Sequence, residues 1–202
     1  MTIFGGGFFS MTTQELKRLN RVKEEFESYL TVGPLHILEV NSRVGFITPI
    51  LAHKKFLSLI IDEDEKNIRE VNASLNDTQR HYIKAEVGTV STLSNQTKYD
   101  IILTSLSFLE NTDRQSFLKS CYELLEDHGR IIIVELLSEP KKSTSHTPCY
   151  IKNSFTINEL THDLIQANFS DVYGRKFYSS YQLIGDFKCP YSLFSLSGQK
   201  RS

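Results

Sequence analysis

The stretch "HILEVNSRVGFITPILA", His36 to Ala52, decides how the chain is read. "LHILEV" is a short apolar run, a polar turn follows it, and a helical pattern runs from Ile47 to about Lys54. Strand, tight turn and helix in that order is how an α/β protein presents a turn to a nucleotide. The turn carries one glycine, Gly45, where two or three are expected.

Outward from this unit the pattern repeats. "FLSLII", "YIKAEV", "YDIILTSL" and "RIIIVELL" are further apolar runs bounded by polar turns. Helical stretches stand between them, from Glu65 to about Asn76 and over "RQSFLKSCYELLED". Strands apolar on both faces and separated by helices imply a mostly parallel sheet with helices on both faces. The end of the chain differs. A Ser/Thr/Lys/Pro-rich loop, "SEPKKSTSHTP", precedes the helix "TINELTHDLIQANF". The runs "DVYGRKFYSSYQLI" and "YSLFSLSGQ" then lie close enough to pair as an antiparallel edge. Their aromatic residues, Phe177, Tyr178, Tyr181, Phe187, Tyr191 and Phe194, suit sheet packing or a contact surface. Before the core, Leu16, Leu19, Val22, Phe26, Tyr29 and Leu30 recur at helical spacing, and Gly33-Pro34 ends that helix.

The 202 residues fit one α/β domain with a real core, and 40% hydrophobic with 23% charged residues excludes a disordered or fibrous chain. The expected layout is a mobile Gly-Gly-Gly tail over 1–11 and a single domain over 12–202, made of an N-terminal helix within 12–32 and a Rossmann-like core over 35–202. A net charge of −1 shows no basic excess, so nucleic acid is not expected as a partner. No apolar run reaches the roughly 18–20 residues that span a bilayer, and "MTIFGGGFFS" lacks the basic start and cleavage site of a signal peptide, so no membrane association is expected. Cys121, Cys149 and Cys189 are widely spaced, which gives neither a disulfide framework nor a zinc site and suits a reducing cytoplasm. No metal site is expected, His146 and Cys149 lacking a second pair of ligands.

With its turns, this order of elements resembles the class I S-adenosylmethionine (SAM) dependent methyltransferases over nearly the whole chain from about Leu35. The family's E-x-G-x-G-x-G motif falls on Glu39-Val40-Asn41-Ser42-Arg43-Val44-Gly45, where the acid and the last glycine remain. The resemblance implies a ribose-binding acid at the end of the second strand, which falls on Asp62, 23 residues after Glu39; a helix-capping role is the competing reading. A third acid near the adenine falls on Glu86, where the family has aspartate and a solvated loop residue is the alternative. "YDIILTSLSFLEN" matches the family's fourth strand, with Asp100 as its opening acid and Ser105, Ser107 and Phe108 on the cofactor and substrate side. "LLEDHGRIIIVE" resembles "LLKPGGRLIIVE" with Gly129 kept, and His128 reads as a surface residue. Absence of the D/N-P-P-Y and Pro-Cys motifs speaks against methylation of nucleic-acid bases.

The resemblance implies SAM as cofactor, bound by Glu39, Asn41, Arg43, Gly45, Asp62, Glu86 and Ser105, and a small-molecule or carrier-bound substrate. Catalytic residues are not assigned, since the activated sulfonium needs mainly in-line positioning. Asn41 is the best non-glycine substitute in a tight turn, because asparagine visits the left-handed region readily. Arg43 leaves three readings open: a two-point bond to the cofactor carboxylate, a side chain that blocks the pocket, or a bond to a surface acid such as Asp62. If the pocket has been given up, the fold serves as a binding or regulatory subunit with a protein partner. The N-terminal helix either lids the cofactor site or packs on the sheet. Oligomeric state is not legible.

Overall fold

The computed structural model describes residues 12–30, 35–41, 47–49, 54, 56–108, 113–138, 154–184 and 186–202. The tail over 1–11, most of the helix expected between Ile47 and Lys54, Arg43 and Gly45 lie outside the described residues.

Seven strands form one sheet: β1 (His36–Val40), β2 (Leu57–Asp62), β3 (Ile83–Val87), β4 (Tyr99–Ser105), β5 (Leu125–Leu136), β6 (Ser170–Ile184) and β7 (Phe187–Gln199), in the order β3-β2-β1-β4-β5-β7-β6. The first five are parallel. β7 runs antiparallel to both neighbours and slots between β5 and β6, so the closing pair is antiparallel as expected but only β6 is an edge. This is a Rossmann-like α/β fold.

Among the described residues five α-helices accompany the sheet: α1 (Thr13–Glu27), α2 (Glu65–Ser74), α3 (Asp77–Arg80), α4 (Arg114–Leu124) and α5 (Ile157–Gln166). Both faces of the sheet are covered. Leu38, Val40, Ile102 and Ile133 pack with Phe117 and Leu118 of α4 and Leu160 and Leu164 of α5. Their neighbours Ile37, Ile101, Leu103 and Ile132 pack with Leu19, Val22 and Phe26 of α1. On that second face Ile60 and Ile83 also meet Ile68 and Val71 of α2. The two-residue alternation explains why each strand serves both cores and reads as a continuous apolar run.

Helix starts follow capping chemistry. Thr12 and Thr156 each accept from a backbone N–H three residues on, while Glu15 and Glu159 reach back to them. Where the sequence suggests one helix from Glu65 to about Asn76, the chain breaks at Leu75, and Asn76 caps the short α3. The pattern "RQSFLKSCYELLED" yields helix only to Leu124, because Leu125 is already paired with Tyr99. The turn expected at Asp127-His128-Gly129 is a distortion inside β5, with His128 exposed at φ 65°. Gly129 is required there: a Cβ would sit 2.8 Å from the Glu126 carbonyl oxygen and 3.1 Å from that of Tyr99.

α1 packs on the sheet and is clasped to the closing strand pair. Arg175 of β6 grips the buried Glu25 at two points, 2.9 and 2.8 Å, and Ser195 of β7 also donates to that carboxylate. Tyr29 sits 3.0 Å from the Ser195 hydroxyl, and burial raises its phenol above the ordinary range. Cys121 is fully buried, and desolvation pushes its thiol far up, so it is an inert core residue. Cys189 is disulfide-bonded, which departs from the expectation of no disulfide framework and of cysteines suited to a reducing compartment; spacing along the chain carries no information on which side chains the fold brings together. Among the described residues, no helix is long and apolar enough to cross a membrane and no cluster could hold a metal ion.

Candidate functional site

The chain leaves β1 toward β2 on one side, and later returns to place β4 on the other side of β1. The crevice at the carboxyl ends of β1 and β4 is therefore the topological switch point, where open α/β sheets bind ligands. Three of the residues singled out in the sequence meet there. Val40 is in register with Ile61 of β2 and Thr104 of β4. One step on come Asp62 and Ser105, the last residues of β2 and β4, and Asn41, the first residue past β1.

Backbone and side chains at these strand ends are under constraint. Asn41 has φ 44° and donates its N–H to the Ile61 carbonyl at 3.0 Å, so the turn begins in the left-handed region. The remaining asparagine thus fills the role foreseen for it. Across the crevice Leu106 has φ 55°, a rare conformation for a bulky residue, held by its N–H on the Val134 carbonyl at 2.9 Å. Nothing in "TSLSF" signals this, because leucine carries no preference for that region.

The polar atoms are unevenly satisfied. Asn41 Oδ1, Thr48 Oγ1 and Ser105 Oγ are buried with no hydrogen-bond partner among the described residues. Buried polar atoms in native structures are nearly always paired, so Asn41 Oδ1 and Ser105 Oγ, at the ends of neighbouring strands, are open to a polar ligand or water. Thr48 was not foreseen from sequence; its position depends on the loop path, not on a motif.

Glu39 explains how that path is held. Its fully buried carboxylate accepts the backbone N–H groups of Ile47 at 2.7 Å and Thr48 at 2.8 Å, pinning the far end of the turn to the strand it left. These are charge-assisted bonds, the strong kind. Asp62 is 8% exposed and bonds the Asp64 N–H at 2.8 Å and the Asn67 amide at 3.2 Å. Asp64 is the residue that caps α2, so Asp62 is not the helix cap itself. A carboxylate has about four acceptor sites, which leaves capacity for a ligand.

The other assigned residues fall elsewhere. Glu86 is paired with Ile61, one position short of Asp62, and is exposed. Asp100 lies at the opposite, amino end of the sheet, where its carboxylate accepts the His36 N–H at 2.8 Å. Ser107 is buried and its hydroxyl lies 2.9 Å from that of Thr104. Phe108 is fully buried between Phe117 and Phe155, with its N–H on the buried Glu135 carboxylate at 2.8 Å. Arg43 and Gly45 lie outside the described residues.

No protein-family model matches the chain, and no curated protein matches its sequence. Solved structures do. A SAM-dependent methyltransferase from Methanosarcina mazei is 19% identical, with a TM-score of 0.63 over 88% of this chain and 97% of that one. The glycopeptide N-methyltransferase MtfA, complexed with SAM, is 12% identical at a TM-score of 0.63 over 89% and 93%. A SAM-dependent methyltransferase from Aquifex aeolicus is 15% identical at 0.62 over 94% and 99%. Identities this low speak for architecture alone, and together with the strand order and switch-point crevice they lead to one conclusion: the chain has the fold of the class I SAM-dependent methyltransferases.

Proposed function

We propose that the chain is a SAM-dependent methyltransferase acting on a small molecule or carrier-bound metabolite. The observation that carries this reading is the meeting of Asp62, Asn41 and Ser105 at the carboxyl ends of β2, β1 and β4, with Asn41 Oδ1 and Ser105 Oγ buried and unpartnered. These residues fit the cofactor. Asp62 would accept the ribose hydroxyls, the Asn41 carbonyl would accept from a cationic or amino donor, and the Ser105 hydroxyl would take either part. Bound SAM supplies an activated methyl group on a sulfonium. The protein's share is to orient and to exclude water: Glu39 fixes the turn, and the left-handed Asn41 and Leu106 open the backbone on either side. None of these residues has to move a proton for the transfer itself.

A second reading, a fold that has given up its cofactor and serves as a binding or regulatory subunit, draws on Asp62 already holding two donors and on Asn41 and Arg43 in place of glycines. Titration calorimetry with SAM and with S-adenosylhomocysteine separates the two. Binding of both is expected; absence of heat and of any thermal shift at millimolar ligand rejects the enzyme. If binding then emerges in Arg43→Gly combined with Asn41→Gly, the pocket is blocked in the native chain.

A further inference from the structure

The sheet ends on two edges of opposite character. β3 is five residues long and carries Lys84 and Glu86, the short charged edge that resists pairing. β6 is 15 residues long. Its first half holds Asp171, Arg175 and Lys176 and two breaks in register with β7. Its second half, Phe177-Tyr178-Ser179-Ser180-Tyr181-Gln182-Leu183-Ile184, has no charge and no proline. From Tyr178 opposite Leu193 to Ile184 opposite Phe187 the pairing is continuous, while β5 pairs to Leu193 and the Leu137 N–H just past it reaches the Ser192 carbonyl at 2.9 Å. Beyond that point, among the described residues, the strand pairing is of β6 with β7 alone.

In an antiparallel ladder every second residue turns its N–H and C=O away from its partner. Among the described residues, no backbone group bonds to the outer edge of this run. Tyr181 is 42% and Leu183 63% exposed, two residues apart and hence on one face. A row of free donors and acceptors at strand spacing is satisfied by another strand.

We propose that this edge pairs with the same edge of a second copy of the chain, antiparallel about a two-fold axis near Ser180 and Tyr181, joining two sheets into one. The charge pattern along the edge selects this occupant and direction. Arg175 and Lys176 precede the neutral run and Asp186 follows it, so the two-fold sets each basic end beside the partner's Asp186. Parallel pairing would set like charges together. Arg175 keeps its bond to Glu25, and Lys188, over the Tyr181 ring at 5.0 Å, lies one strand inward on β7. Eight paired residues make less than a standard interface of about 1,600 Å², so dissociation is expected at roughly 10–100 µM. This inference stands apart from the cofactor reading.

Sedimentation velocity on the full chain from about 1 to about 500 µM is expected to show reversible passage from monomer to dimer. Tyr181→Lys with Leu183→Lys should weaken the dimer at least tenfold, because like charges then face each other across the axis, whereas Val87→Lys on β3 should leave it unchanged. Tyr181→Cys should give a covalent dimer on mild oxidation, and Val87→Cys should not. A monomer throughout the range, a dimer that survives the double lysine variant, or one equally lost with Val87→Lys overturns the proposal.

Discussion

The two ends of the parallel sheet are built from the same strands to opposite standards. At the amino end, Asp100 takes the His36 N–H, the Lys200 N–H closes on the Gly129 carbonyl, and the Gln199 amide reaches the His128 carbonyl. At the carboxyl end, Asn41 Oδ1, Thr48 Oγ1 and Ser105 Oγ are buried without partners, while left-handed non-glycine residues occur at both ends, Asn41 and Leu106 here and His128 at the other. Satisfied polar groups give stability; unsatisfied ones cost stability until a ligand arrives.

The sharpest break of this contrast is Glu39→Ala, which strips two buried N–H groups of their acceptor. It should cost roughly 2–5 kcal/mol in denaturant unfolding and abolish cofactor binding, because it frees the loop as well as weakening it. Gly129→Ala should cost about 1–3 kcal/mol, the usual penalty for overpacking, and leave SAM affinity of the folded protein unchanged in calorimetry. An affinity loss there would mean the two ends are not separable. Asp62→Ala should reverse that profile, weakening SAM binding by about tenfold to a hundredfold, since buried ribose hydroxyls then lack an acceptor. The smallest effect concerns pH. The capping carboxylates Glu15, Asp113 and Glu159 are held below the usual carboxylate range by hydrogen bonds from Thr12, Ser116 and Thr156. Their folded pKa is depressed, so their contribution is present above the unfolded value and lost as pH falls through the folded one. Unfolding followed between about pH 5 and pH 3 should show a shallow decline, reduced in Glu159→Gln.

The extent to which the sequence could be read follows the range of the interactions. The strand–turn–helix reading of His36–Ala52 and the antiparallel pairing of the last two runs rest on local periodicity, and the sheet has both. Asp62 and Ser105 were legible because strand ends are marked by where an apolar run stops. Asn41 was legible because few residues besides glycine accept a left-handed turn. Thr48 and Leu106 were not, since one depends on loop path and the other on a hydrogen bond to β5. Asp100 was assigned as the strand-opening acid, but only the sheet shows that the amino end lies far from the crevice.

By itself, the sequence determined that alternating apolar runs and amphipathic helices build a doubly covered parallel sheet, because burial on two faces imposes that pattern wherever it occurs. It also determined which residue types stand at the turns. The tertiary structure alone decided that Asp62, Asn41 and Ser105 meet at neighbouring strand ends, that Glu39 spends its carboxylate on the loop, that β7 enters between β5 and β6, and that β6 is the last strand of the sheet. Each of these depends on strand register and order, which are set by contacts between residues tens of positions apart, and no local propensity encodes them.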